Sequence, residues 1–240
     1  MVDIKPIVLA AILSAPSFSP VFSQINMTEK ANIRFIEQDF SISDLDHRFW
    51  ETAEEIEISK YWNGEKAPKS RRFEAQLMWS DTALYVRFEM DKNEPLVVSE
   101  TPNLETKTLG LWDRDVCEIF LATNRTEFRK YFEFEIAPNG EWIDLAIHQN
   151  SDERITDWEY RSGMKSAAKI GKKEIAMAFK VEWNAFGVTP KAGDIWLGNI
   201  LRAMGSEPDR GYLTWQPTMT KTPNFHVPEK FGEFEFIKNG

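Results

Sequence analysis

The stretch Arg129–Ala137, RKYFEFEIA, decides the fold class of this 240-residue chain, because apolar and polar side chains alternate along it. In an extended strand such residues point alternately to opposite faces of a sheet. The apolar face comprises Phe132, Phe134 and Ile136, and the opposite face comprises Tyr131, Glu133 and Glu135. A turn signal, Pro138-Asn139-Gly140, follows, and Glu141–Ile147 returns from it. The pattern therefore predicts an antiparallel hairpin.

Other segments show the same signs of short antiparallel strands. Asp115–Leu121, DVCEIFL, is apolar on nearly both faces, as in the central strand of a sandwich. Phe73–Trp79 and Thr82–Met90 flank a polar dipeptide and are typical of a hairpin. Further strands are predicted at Met164–Ile170, Glu174–Val181, Ile195–Leu201, Tyr212–Trp215 and Phe231–Ile237. Because helical periodicity is confined to one short turn within Val181–Phe186, the sequence favours an all-β, jelly-roll-type antiparallel sandwich with few short helical turns.

The composition of the chain argues against several classes of function. The chain is 42% hydrophobic and 28% charged, which is typical of a globular protein. Its formal net charge of -9 argues against nucleic acid as a partner, since an acidic surface repels phosphates. A lone cysteine, Cys117, excludes an intrachain disulfide and a multi-cysteine zinc site. Nine tryptophans are an excess that predicts aromatic core, aromatic stacking platforms, or both.

The N-terminus resembles a secretory signal. Ile7–Ala15, IVLAAILSA, is apolar but shorter than the ~20 residues that a membrane-spanning helix needs. Small residues suit cleavage after Ser23, so residues 1–23 are predicted to be a signal peptide and the protein to be secreted or periplasmic. No linker or repeat interrupts the rest, which predicts a single sandwich domain over residues 24–240.

One glutamate on the predicted central strand needs a partner. Glu118 shares its face with Val116 and Phe120. A carboxylate on an apolar face costs several kcal/mol unless it is paired or hydrogen-bonded. The partner could be an arginine, with Arg87 or Arg202 as candidates, or else a metal or a polar ligand. Both interpretations stay open at this point.

Three more residues are candidates for ligand binding. Trp112 lies six residues before Glu118 among charged residues, which predicts an accessible ring that stacks on a sugar or closes the end of the sandwich. Asn199 and Arg202 lie at the end of a predicted strand. Their donors and acceptors suit vicinal hydroxyls, or they could hold a loop together.

Two catalytic or redox alternatives are weaker. The sequence has three histidines and lacks the common hydrolase, metalloprotease and nucleotide-binding motifs. Glu118 with Glu133 or Glu135 could serve as a glycoside hydrolase pair. A haem or redox domain would need a Met/His pair, and none stands out among eight methionines. The acidic residues Asp113 and Asp115 fit a solvated turn better than a calcium loop.

Four motifs, in this order and spacing, resemble the family 9 carbohydrate-binding modules. They are Trp112–Leu121, WDRDVCEIFL; Tyr131–Glu135, YFEFE, with its Pro138-Asn139-Gly140 turn; Trp196–Arg202, WLGNILR; and His226–Gly232, HVPEKFG. The resemblance extends from about Ile33 to the C-terminus. It implies a jelly-roll sandwich, related to a wider group of sugar- and haem-binding domains, that binds oligosaccharides or polysaccharides without catalysis.

The resemblance also implies five ligand-binding residues. Trp112 matches the first of two tryptophans that sandwich a sugar. Glu118 matches a hydroxyl-binding glutamate and Asn199 a further polar contact. Arg202 stands near the position of the second tryptophan, where it could stack through its guanidinium or neutralise a glutamate. Glu135 stands where studied members carry an arginine.

The resemblance extends to partners and ions. Such modules usually accompany secreted enzymes that degrade plant polysaccharides, which implies a partner enzyme and a role in carbohydrate catabolism. Calcium sites in the family depend on loops that the sequence does not allow us to place. Calcium therefore stays open as a structural ion, and no other cofactor is expected.

Overall fold

The computed structural model describes residues 29–150 and 153–238, which are built almost entirely from β-strands. The predicted signal peptide, residues 1–23, lies outside the described residues. The strands are β1 Lys30–Phe35, β2 Ile56–Ile58, β3 Lys60–Tyr61, β4 Phe73–Trp79, β5 Ala83–Asp91, β6 Val116–Ala122, β7 Lys130–Ile136, β8 Trp142–Gln149, β9 Arg154–Asp157, β10 Lys165–Ile170, β11 Glu174–Glu182, β12 Ile195–Met204, β13 Gly211–Thr214 and β14 Gly232–Ile237. The all-β prediction is confirmed.

Short 3-10 turns are the helical elements of the described ranges. They are Trp50–Thr52, Lys69–Arg71, Leu111–Asp113, Trp183–Phe186 and Pro228–Lys230. The fourth matches the turn predicted from the sequence, and Gly187 ends it with a φ of 69°, a left-handed conformation that glycine adopts without strain. None of these segments has the length and apolarity that a membrane-crossing helix requires.

The strands form one curled sheet in the order β10-β11-β5-β4-β1-β14-β12-β6-β7-β8-β9, with β2 added to β4, and β13 joined to both β12 and β3. Neighbours are antiparallel except β1, which runs parallel to both β4 and β14. The curl brings the two ends of the order face to face. Phe134 on β7 thus contacts Phe179 on β11, with ring centroids 5.8 Å apart.

The main core lies between these facing halves of the sheet. As the alternation in β7 predicts, Phe134 and Ile136 are fully buried there, and Phe132 packs against the same cluster. Trp79, Trp183, Trp196 and Trp215 also belong to this core. Trp50 is buried in a separate apolar cluster, so five of the nine tryptophans are structural.

A second apolar cluster covers the outer face of β6, β7, β8 and β12. Its buried members include Val116, Phe120, Tyr131, Ile143, Leu145, Ile147, Leu201 and Phe231. Strands β6 and β12 approach closely because position 198 is glycine: a Cβ there would lie 2.0 Å from the carbonyl oxygen of Phe120. This outer face, rather than the main core, carries Glu118, Glu135 and Asn199.

Candidate ligand-binding site

A pocket of about 270 Å³ lies on the outer face of β6, β7 and β8. Strands supply its floor, and the segments around residues 112, 158, 210 and 224 supply its walls. The lining residues are Trp112, Asp113, Glu118, Glu133, Leu145, Ile147, Arg154, Thr156, Trp158, Ala203, Arg210, Tyr212, Pro223, Asn224, Phe225 and His226. The pocket thus combines exposed aromatic rings with buried acids.

Trp112 stands on the 3-10 turn that precedes β6, and its side chain is 37% exposed. The turn is fixed by Arg210, whose guanidinium donates to the carbonyl oxygens of Trp112 at 2.6 Å and Gly205 at 2.7 Å. The same guanidinium makes two longer hydrogen bonds, to the carbonyl oxygens of Asp113 and Arg114. The sequence prediction of an accessible ring at position 112 is confirmed, and Arg210 holds that ring in place.

Trp158 is a second exposed aromatic that the sequence analysis missed. It follows β9, is 47% exposed, and its ring centroid lies 6.1 Å from that of Trp112 at an interplanar angle of 46°. Its neighbours Asp157 and Glu159 are charged, as are Asp113, Arg114 and Asp115 after Trp112. That shared sequence environment is the signal by which Trp158 could have been found.

A buried ion pair anchors the loop that carries Trp158. The Lys107 ammonium lies 2.7 Å from a carboxylate oxygen of Asp144 and donates to the Tyr160 carbonyl at 2.6 Å. Ser162 donates to the other Asp144 oxygen through its backbone N–H at 2.6 Å and its hydroxyl at 2.7 Å. The loop is therefore tied to β8 just after Trp158, through Tyr160 and Ser162.

Three glutamates meet at the pocket floor. Glu118 on β6 lies directly opposite Glu135 on β7, and Glu133 lies one pleat further along the same face. Glu118 and Glu133 are 3% exposed and Glu135 is fully buried. One carboxylate oxygen from each lies within 4.8 Å of the others. Glu118 and Glu133 line the pocket, and Glu135 lies behind them.

The electrostatics of this cluster favour its protonated forms. Burial raises the pKa of Glu118 well above its ordinary value, and the charge on Glu133 raises it further. Burial and the charges on Glu118 and Glu133 do the same to the pKa of Glu135. Burial also raises the pKa of Glu133, against a lowering by a side-chain hydrogen bond with Glu135 and by the charge on Arg154. Of the alternatives left open for Glu118, an ion pair with Arg87 or Arg202 is not formed among the described residues, and Arg87 pairs instead with Glu89.

The structure places Asn199 and Arg202 away from the pocket wall. Asn199 shares the face of Glu118 but is buried, donating to the Gln216 carbonyl at 2.8 Å and accepting from the Gln216 N–H at 2.9 Å. Arg202 lies opposite Cys117 and thus points to the other side of the sheet. There it donates to the Arg71 carbonyl at 3.0 Å. Of the five predicted residues, Trp112 and Glu118 meet at the pocket, with Glu135 beneath them.

His226 closes one side of the pocket in a neutral form. Its Nδ1 shares a hydrogen bond with the Tyr131 hydroxyl at 2.9 Å, and its ring stacks on Phe120 with centroids 5.0 Å apart. Burial lowers the pKa of His226 to about 3. The described pocket lining includes one histidine and no methionine, so no Met/His pair is brought together there.

The two aspartates of the turn before β6 have different surroundings. Asp113 is exposed at the pocket rim, as predicted for a solvated turn. Asp115 is buried instead, and its carboxylate accepts a hydrogen bond from the Gly205 N–H at 2.6 Å. The Asp115 carboxylate therefore links the turn to the end of β12 and does not face water.

These features define a β-sandwich binding protein whose pocket joins two tryptophan rings to a carboxylate floor. The chain belongs to the family described as carbohydrate family 9 binding domain-like, whose sequence model matches residues 44–239. The resemblance found in the sequence is thereby confirmed. No curated protein sequence matches this chain.

Solved structures share the fold at low sequence identity. A proposed carbohydrate-binding protein from Bacteroides uniformis superposes with a TM-score of 0.70 at 13% identity, covering 88% of this chain and 100% of its own. A family 9 carbohydrate-binding module from Caldicellulosiruptor kristjanssonii, in complex with cellotriose, gives 0.63 at 16% identity and covers 88% and 95%. The same module with glucose gives 0.62 at 16% identity and covers 88% and 97%.

Proposed function

We propose that this protein binds glycans, without catalysis, in the pocket lined by Trp112 and Trp158. The observation that carries the proposal is the pair of exposed indole rings, 6.1 Å apart, above a floor of carboxylates. Indole faces pack against the CH groups of sugar rings, while sugar hydroxyls bond to charged and polar groups. Membership in a carbohydrate-binding family supports this use of the pocket.

The lining residues divide into stacking and hydrogen-bonding roles. Trp112 and Trp158 supply the apolar surfaces. Glu118 and Glu133 face sugar hydroxyls, and Arg154 offers donors from β9. Glu135 lies directly opposite Glu118 behind the pocket lining, and the charge on Glu118 raises its pKa. Asn199 and Arg202 support the strands instead of contacting the sugar.

The size of the pocket favours a chain end or a short oligosaccharide. Its 270 Å³ lies near the lower end of the about 300–1,000 Å³ usual for ligand pockets. The Caldicellulosiruptor module binds cellotriose and glucose, so β-linked glucose oligomers are the first ligands to test. A hydrolase that uses Glu118 and Glu133 is the alternative that the same pocket allows, and the release of products from such oligomers would favour it.

Export and a catabolic role complete the proposal. We infer that residues 1–23 direct the protein to the periplasm or the exterior, and that residues 24–240 act as one module beside a polysaccharide-degrading partner enzyme. The apolar run Ile7–Ala15 supports export. Mass spectrometry of the protein recovered from the producing cells tests it: a mature form that begins at residue 24 is expected, and an intact N-terminus would contradict export.

Calorimetric titration of glucose and cellotriose into the purified protein tests glycan binding. Saturable heat with the wild type, and its loss in Trp112→Ala and in Trp158→Ala, is the expected result. Ile170→Ala is the matched control, because Ile170 is an exposed apolar residue on β10, at the far end of the sheet. Unchanged affinity in both tryptophan variants would contradict the proposed site.

A further inference from the structure

The glutamate cluster beneath the pocket lacks a counter-charge. Glu135 is fully buried, and no N–H or hydroxyl group of the described residues donates to either of its carboxylate oxygens. Its side chain shares a hydrogen bond with Glu133, and one oxygen of Glu118 and one of Glu133 lie within 4.8 Å of an oxygen of Glu135. Such an arrangement is costly because buried charges require paired or coordinating partners.

The nearby cations do not neutralise the cluster. Arg210 lines the pocket, but its guanidinium is engaged with four backbone carbonyls of the Trp112 turn and Gly205. Arg154 is exposed on β9, and its charge lowers the pKa of Glu133. It forms no ion pair in the described part of the chain. Asp113 adds a further negative charge at the rim, and His226 is neutral. The pocket floor is therefore an electronegative site open from one side.

We propose that Glu118, Glu133 and Glu135 bind a divalent calcium ion at the floor of the pocket. Three carboxylates offer up to six oxygen ligands, the hard donor type that calcium prefers. Two opposite Ca–O bonds of about 2.3–2.6 Å span roughly 4.6–5.2 Å. The oxygens of the cluster lie within 4.8 Å of one another, which one ion can bridge.

The pocket gives the ion both a route of access and its remaining ligands. Glu118 and Glu133 line the open side, so water or a sugar hydroxyl can complete the coordination there. Glu135, beneath them, supplies buried oxygens to which no N–H or hydroxyl group of the described residues donates. Strands β6 and β7 fix all three residues by their cross-strand register, so the ligands are arranged before the ion binds.

Calcium binding to the full-length protein, after treatment with a chelator, tests the site. Calorimetry with calcium chloride at neutral pH is expected to show one ion per chain, with a dissociation constant on the order of 1 mM or below. Terbium is a second probe, because Trp112 and Trp158 line the same pocket and can sensitise its luminescence. Both measurements are made without any glycan, so their outcome is independent of the proposed sugar binding.

Glutamine variants locate the ion. Glu135→Gln and Glu118→Gln keep the side-chain volume and should each weaken calcium binding roughly tenfold or more. Glu105→Gln, at an exposed position outside the pocket lining, should bind calcium as the wild type does. Circular dichroism and tryptophan fluorescence confirm the fold of each variant. Absence of both heat and terbium luminescence in the wild type would overturn the proposal, as would wild-type affinity in a folded Glu135→Gln.

Discussion

The two faces of the β6–β7 strand pair differ in what their side chains contribute. On the inner face Cys117, Ile119, Phe134 and Ile136 are apolar, fully buried and packed against the opposite half of the sheet. On the outer face Glu118, Glu133 and Glu135 are just as buried, although they carry ionisable groups. One backbone hairpin therefore presents a stabilising apolar face and a face of buried carboxyl groups. The comparison teaches that burial alone does not separate core from site in this protein.

The largest expected effect is on the inner face. Phe134→Ala should lower the free energy of unfolding by about 3–5 kcal/mol, because the ring packs on Phe179 and Phe186 and leaves a cavity when removed. Chemical denaturation followed by tryptophan fluorescence measures it. A loss below about 1 kcal/mol would show that the inner face is not the tightly packed core described above.

On the outer face, removal of an exposed ring should affect affinity and leave stability nearly unchanged. Trp112→Ala should weaken glycan binding by about 2 kcal/mol, roughly thirtyfold, the size typical of a central aromatic contact. Its free energy of unfolding should change by less than about 0.5 kcal/mol, since Trp112 is 37% exposed. The opposite pattern, with stability lost and affinity retained, would make Trp112 a structural lid.

The carboxyl cluster should make stability depend on pH. Because the pKa of Glu135 is raised above its ordinary value of 4.5 in the folded protein, the folded state holds more protons than the unfolded state above that pH. With a chelator present, the free energy of unfolding should therefore fall as pH rises above about 4.5. Two further glutamates, Glu118 and Glu133, titrate in the same cluster. Two arginines face it as well: Arg210 lowers the pKa of Glu118, and Arg154 lowers that of Glu133.

Glu135→Gln separates this contribution from the rest of the protein. It removes one charge from the cluster, so its stability should fall less steeply with pH than that of the wild type, leaving it more stable by about 1 kcal/mol at neutral pH. Denaturation curves at several pH values measure the difference. Parallel pH profiles for the two proteins would contradict a buried, charged cluster.

The smallest effect is expected from a substitution of Arg202. Its side chain lies on the inner face of β12, whereas that of its neighbour Leu201 lies on the outer face. Arg202→Met should lower stability by about 1 kcal/mol, since the Arg71 carbonyl loses its donor. Glycan affinity should stay unchanged, because the side chain points away from the pocket. A clear loss of affinity in a stably folded Arg202→Met would restore Arg202 to the ligand-binding set predicted from the sequence.

Alternation in the sequence was sufficient to predict the two faces of β7. Hydrophobic periodicity correctly placed Phe134 toward the core and Glu133 and Glu135 on the other side, because a residue's face depends only on local strand geometry. The same reasoning correctly placed Glu118 beside Val116 and Phe120. The exposure of the Trp112 side chain was predicted from the charged residues that follow it in the sequence.

Long-range register and strand length account for what the sequence did not predict. The strand predicted at Ile195–Leu201 continues to Met204, so Arg202 stays in the sheet and points opposite to Leu201 instead of beginning a loop. Strand β9 is short and mostly exposed, and no hydrophobic pattern marks it. Trp158 was missed with it, since its proximity to Trp112 depends on β9 pairing with β8.

Nuclear magnetic resonance of the tryptophan indole N–H groups during titration with cellotriose tests the central claim most directly. Binding against the two exposed rings should shift the signals of Trp112 and Trp158, while the signals of the core residues Trp79, Trp183 and Trp196 stay in place as internal controls. Shifts confined to other tryptophans, or none at cellotriose concentrations on the order of several millimolar, would contradict binding in this pocket.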